Sequence, residues 1–280
     1  MNKYLSSFVN SFKLGKDFGY TFAVDAITFS LLYLILTIGS SWWLTKLQAL
    51  LAIVQEASVL GAGQLPAVVP SPTGTLFLVF IPPIVLVIFF LFLFSYSRAV
   101  IWNHLQGRKV TRKTYWRWNV LNLSLLIPLF LFGLVLVIAK IILSFSLNQI
   151  IKLFPLFYIT HTVAVDNVRL VLQYLLNFYL LLVFISLVFL IYHSFAKSYK
   201  IWNSIGMGFS LFNKNKKRLL LALLLALIPA IILPLITIPL STQLLYAPPW
   251  VSVMLYIILF SIYLAWLRLY LLKIISHGSQ

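Results

Sequence analysis

The stretch TLFLVFIPPIVLVIFFLFLFSYSRAVIW, residues 75–102, decides the fold. Its first charge is Arg98, so the 23 residues before it carry none. As a helix they rise about 35 Å at ~1.5 Å per residue, enough to cross a hydrocarbon core of ~30 Å. A helix buried in a soluble core has no use for so long an uncharged run. Five comparable runs flank it, which places spans at 20–43, 75–102, 118–147, 169–195, 218–241 and 249–273. The expectation is an all-α, polytopic membrane helix bundle of about six transmembrane helices, forming one integral membrane domain over 1–280.

Composition agrees. Of the residues, 62% are hydrophobic and 9% charged, whereas a soluble domain carries about 25% charged residues. This chain has too few charges to cover a water-facing surface. The first apolar run begins near Tyr20 and lacks a small-residue cleavage site, so it reads as a retained span. The absence of cysteine excludes disulfides, thiolate metal sites and a cysteine nucleophile.

The net charge of +17 invites a nucleic-acid reading, but the placement of the charges argues against one. Lys3, Lys13, Lys16, Arg98, Arg108, Lys109, Arg112, Lys113, Arg117, Lys197, Lys200, Lys214, Lys216, Lys217, Arg218, Arg268 and Lys273 fall on one side of the six spans, 17 in all. Only Lys46, Lys140, Lys152 and Arg169 fall on the other. Short basic connections stay cytoplasmic, which puts the chain in the cell membrane with both termini inside. No nucleic acid is implied. Partners are the bilayer and the anionic headgroups that Arg108, Lys109, Arg112, Lys113, Lys214, Lys216, Lys217 and Arg218 would meet. Tryptophan placement gives the same boundaries: Trp42, Trp43 and Trp250 at outer ends, and Trp102, Trp116, Trp118, Trp202 and Trp266 at inner ends, where indoles favour the headgroup layer.

Between spans, residues 44–58 read as a short amphipathic helix with Leu44, Leu47, Leu51 and Val54 on one face. It would lie on the membrane surface or re-enter between spans. The Gly- and Pro-rich stretch 61–74 is expected to be irregular, and Pro155 is expected to break the second outer segment, 148–168. Pro229, Pro234 and Pro239 favour a kink in the fifth span.

An internal pattern suggests three two-helix units, 1–95, 96–195 and 196–280. Ile101-Trp102-Asn103 recurs as Ile201-Trp202-Asn203, and Ile127-Pro128 as Ile228-Pro229. Each unit would open with a short lead-in helix on the inner face, as in Tyr4, Leu5, Phe8, Val9, Phe12. A basic three-unit, six-span outline resembles mitochondrial carriers. Those carry a Pro-x-acid-x-x-base signature, however, and Pro128, Pro229 and Pro234 are followed by apolar residues. The segment Asn10-Ser11-Phe12-Lys13-Leu14-Gly15-Lys16-Asp17-Phe18 resembles the start of uncharacterised prokaryotic multi-span membrane proteins, and that resemblance implies no activity.

Ionisable groups inside hydrocarbon are costly and therefore informative. Asp25 is the one acid within a span, with Arg98, His193 and Arg268 at similar depth, any of which a bundle could bring to it. The readings are an ion pair locking the spans, a proton or cation relay, or a partly hydrated side chain. Asn122, Gln173 and Asn177 suit hydrogen bonding between helices. His161 and Asp166 form H-x-x-x-x-D, the spacing of glycerolipid acyltransferases, with His as base and the acid orienting it. No H-E-x-x-H, G-x-S-x-G, P-loop or G-x-G-x-x-G occurs, and no cofactor is implied. The expected function is non-catalytic: binding or moving a hydrophobic or amphipathic molecule, or organising membrane partners. A lipid-modifying enzyme is the alternative.

Overall fold

The computed structural model describes residues 8, 9, 11, 12, 15–60, 72–153, 162–243 and 248–276. Six long helices dominate: α1 (Lys16–Leu60), α2 (Pro72–Leu105), α3 (Arg112–Leu153), α4 (Thr162–Ser198), α5 (Ile201–Gln243) and α6 (Pro249–Ser276). No strand occurs among the described residues. Five helices, α1 to α4 and α6, are long and apolar enough to cross a membrane. The molecule is thus an all-α bundle of membrane-spanning character.

Successive helices run antiparallel. Gly39 faces Leu86 between α1 and α2, Phe132 stacks on Phe184 between α3 and α4, and the Tyr263 hydroxyl of α6 donates to the Ala226 carbonyl of α5. One end of the bundle therefore collects the start of α1, the α2–α3 and α4–α5 junctions, and the end of α6.

Both junctions are fixed by local chemistry. Gly107 closes α2 with a φ of 64°, and the Arg108 and Gly107 amides donate to the Asn103 and His104 carbonyls at 2.8 and 2.9 Å. This is the Schellman arrangement, which a residue without Cβ adopts cheaply. Thr111 then caps α3 by exchanging backbone-to-hydroxyl bonds with Thr114. At the other junction Tyr199 has a φ of 52°, uncommon for a non-glycine. Neighbours hold it there: its hydroxyl donates to Asn103 Oδ1 at 2.8 Å, and its carbonyl accepts from Arg117. Arg108 donates to the Ala196 and Lys197 carbonyls, closing the α4 terminus, and stacks on the Tyr199 ring.

Several expectations are corrected here. Residues 44–58 are not a separate surface helix: α1 runs unbroken for 45 residues, about 67 Å at ~1.5 Å per residue. No Gly or Pro interrupts it between Gly39 and Leu60, and Ala, Leu and Gln propagate a helix well. Residues 72–74 already belong to α2, because proline suits a first helical position. The lead-in before the fifth span is the first part of α5, so Lys214, Lys216, Lys217 and Arg218 are exposed on a helix, not in a loop. Apart from these corrections, the first Ile-Trp-Asn triplet lies at the end of α2 with Trp102 buried and the second at the start of α5 with Trp202 exposed. The chain breaks after the first triplet, at Gly107, and before the second, at Tyr199. Tyr4, Leu5, Lys3, Lys13, residues 61–71, Pro155 and His161 lie outside the described residues.

Packing is concentrated at the junction end. On α1 the buried residues are Thr21, Asp25, Thr28 and Leu32; on α2 they fall between 95 and 103; on α6, between 261 and 274. Large apolar side chains farther along, such as Phe77, Phe89, Phe130 and Ile141, are exposed. Exposed apolar groups in such number suit lipid rather than water as surroundings. Trp102, Trp118 and Trp266 are buried among the helices. They are core residues and not headgroup anchors, whereas Trp116 and Trp202 are exposed. α5 lies close against α4 at Gly208, where a Cβ would stand 3.0 Å from the backbone N and Cα of Ile191.

Candidate functional site

At the junction end the interior is polar. Asp25 sits nine residues into α1, about 14 Å above its start at ~1.5 Å per residue, and is fully buried. Its carboxylate meets two arginines. Arg98 of α2 donates to Oδ1, and Arg268 of α6 donates to Oδ2 at 2.9 Å. Arg98 also donates to Ser97 Oγ at 3.2 Å. One acid thus ties three helices, joining residues 73 and 243 positions apart. Both arginines are at most 2% exposed. Their guanidiniums lie against aromatic faces: Arg98 4.8 Å from the Phe94 centroid, Arg268 5.1 Å from Phe189 and 5.8 Å from Trp102. Such contacts favour a desolvated cation.

Beside this cluster runs a second polar connection. Asn122 of α3 donates to Ser95 Oγ of α2 at 2.9 Å and accepts from the Tyr192 hydroxyl of α4. All three residues are buried. Amide and hydroxyl groups at this depth satisfy one another across helices because lipid offers no alternative. Gln173 does the same nearer the far end, donating to Ser144 at 2.9 Å.

Below the cluster, toward the junctions, a cleft of about 690 Å³ opens between the helix ends. Phe18, Leu211, Trp266, Leu269 and Leu272 supply apolar wall, and Asp17, Gln106, His193, Lys197 and Lys273 supply polar and charged groups. Gln106 Nε2 and His193 Nδ1 are 3.2 Å apart. The His193 ring packs 6.2 Å from that of Trp102, which in turn faces Arg268. The His193 side of the cleft lining is thus separated from Arg268 by the Trp102 ring. The Trp266 indole donates to Ser11 Oγ at 3.0 Å, with Phe12 stacked on it at 5.2 Å, so Ser11 and Phe12 pack against the Trp266 side of the cleft.

The structure brings Asp25, Arg98 and Arg268 together, sets Asn122 in the adjoining network, and leaves His193 in the cleft wall without contact to Asp25. Of the basic residues expected to face lipid headgroups, Arg108, Lys109, Arg112, Lys113, Lys214, Lys216, Lys217 and Arg218 are all exposed, and Arg108 in addition donates to the α4 carbonyls of Ala196 and Lys197. Sequence reasoning missed Tyr192 and Trp102 as parts of the site; the former had no signal beyond lying on the same helix as His193. Asp166 lies in the first turns of α4, and its side chain is outside the described residues. No group of three potential metal ligands occurs among the described residues.

Compared with known proteins, the chain matches no family model, no curated protein and no solved structure.

Proposed function

We propose that this chain is a six-span protein of the cell membrane, with both termini cytoplasmic, that binds or moves an amphipathic molecule with an anionic end through the cleft at its inner face. The sixth span is α5, whose apolar stretch follows Lys214, Lys216, Lys217 and Arg218. The asymmetry of 17 basic residues against four supports the orientation.

The observation that carries the functional reading is the make-up of the cleft. An apolar wall of Phe18, Leu211, Trp266, Leu269 and Leu272 accompanies the cations Lys197 and Lys273. A volume near 690 Å³ is in the range of small-molecule sites of about 300–1,000 Å³. Such a site accepts acyl chain and anionic headgroup together. Basic groups of the exposed inner end raise the local concentration of anions.

The test uses full-length protein in detergent, incubated with an equimolar mixture of phosphatidylglycerol and phosphatidylcholine and analysed by native mass spectrometry. Preferential retention of the anionic lipid is expected, reduced by Lys197→Gln and blocked by Leu269→Trp, which fills the cleft without touching Asp25. Equal retention of both lipids, or retention unaffected by Leu269→Trp, removes this reading.

A further inference from the structure

The buried cluster is not electrically balanced. One carboxylate faces two guanidiniums, a formal charge of +1 with every member at most 2% exposed. No second carboxylate meets either arginine among the described residues. Asp17 is exposed and paired with His104 at 3.4 Å. Glu56 lies 31 residues beyond Asp25 along the continuous α1, about 46 Å at ~1.5 Å per residue. Asp166 is at the opposite end of α4 from Tyr192. Tyr192 itself donates its proton to Asn122 and so contributes no negative charge.

Hydrogen bonding is incomplete at the same place. Arg268 uses one nitrogen on Asp25, while its Nε and Nη1 have no acceptor among the described residues. The Trp102 Nε1 is likewise buried and without an acceptor, and its indole stands 5.8 Å from the guanidinium carbon of Arg268. Phe189 completes the enclosure, 5.1 Å from that carbon and 5.9 Å from the Trp102 ring. Aromatic faces soften the field of a cation, but they carry no net charge and leave the N–H groups without an acceptor. Buried donors in that state are rare in folded proteins, and a buried unpaired charge is costlier still.

We propose that Arg268 and Trp102 form a binding site for a single monovalent inorganic anion of halide size. The anion accepts from Arg268 Nε and Nη1 and from Trp102 Nε1, and brings the cluster to neutrality. Its route is the inner cleft, past His193 and Gln106, whose side chains meet at the floor next to Trp102. This site is separate from the cleft that receives the amphipathic ligand, and its test involves no lipid binding.

Thermal unfolding of the full chain in detergent, at constant ionic strength, with chloride or bromide replaced stepwise by gluconate, reads the site directly. A saturable rise of the unfolding temperature with halide is expected. Arg268→Met removes the excess charge and two of the three donors, and abolishes the halide dependence. Trp102→Phe keeps the ring and removes one donor, and raises the half-saturating halide concentration by about tenfold, the worth of one charge-assisted hydrogen bond. An unfolding temperature equal in chloride and gluconate overturns the proposal, as does an undiminished halide response in Arg268→Met. If that variant does not fold, chloride NMR line broadening decides: broadening by wild type that falls in Trp102→Phe supports the site, and equal broadening by both overturns it.

Discussion

Replacing Asp25 with asparagine keeps the shape of the side chain and removes the negative charge between two arginines. The magnitude follows from the geometry. Both guanidiniums reach the same carboxylate, Arg268 at 2.9 Å, so without it two buried cations are left with no negative charge between them. Two unit charges ~6 Å apart repel by about 3 kcal/mol at an effective dielectric constant of ~20. Breaking a buried ion pair by deleting one partner costs about 3–5 kcal/mol, a figure that includes this kind of unbalanced charge. Arg268→Met leaves the neutral Asp25–Arg98 pair intact and is expected to cost less than about 2 kcal/mol. The double variant, Asp25→Asn with Arg268→Met, holds one cation instead of two and is expected to be more stable than Asp25→Asn alone. Thermal unfolding of the three variants in nanodiscs, read as a double-mutant cycle, provides the comparison. Asp25→Asn unfolding within a degree of wild type, or the double variant unfolding below Asp25→Asn, would mean that side-chain packing, rather than charge balance, holds α1, α2 and α6 together.

Other outcomes follow from the same structure. Tyr192→Phe leaves Asn122 Oδ1 without its donor and is expected to cost about 1 kcal/mol, near the typical worth of a hydrogen bond between membrane helices, measurable as a lowered unfolding temperature. Gly208→Ala drives a methyl into the α4 backbone at Ile191, whereas Gly39→Ala meets only the rotatable Leu86 side chain, with Cδ2 at 2.6 Å; the first variant should lose folded yield and the second should be tolerated. Because the native chain has no cysteine, single cysteines at Lys113 and Gln64 can be labelled without background. Membrane-impermeant maleimide applied to intact cells is expected to reach position 64 and not 113, and the reverse pattern would overturn the six-span orientation.

Much of this was legible along the chain. Spans such as 75–102 announce themselves because hydrocarbon demands a continuous apolar run and tolerates no unpaired backbone, both properties of neighbouring residues. The same reasoning singled out Asp25, Arg98, Asn122 and Arg268 as polar groups at one depth. It misplaced Trp102, Trp118 and Trp266, since an indole at a span end fits a headgroup layer and an aromatic core equally well. It also failed at residues 44–58, where amphipathic spacing concealed a helix that continues without interruption.

The amino-acid order alone determined that the chain is helical, that its helices suit lipid, and that Asp25 interrupts a long apolar run, because each of these is a matter of local composition and length. Only the tertiary structure decided that both Arg98 and Arg268, and not His193, close on Asp25. That outcome depends on how helices 73 and 243 residues apart rotate and pack, and depth along a span carries no information about the face a side chain presents to its neighbours.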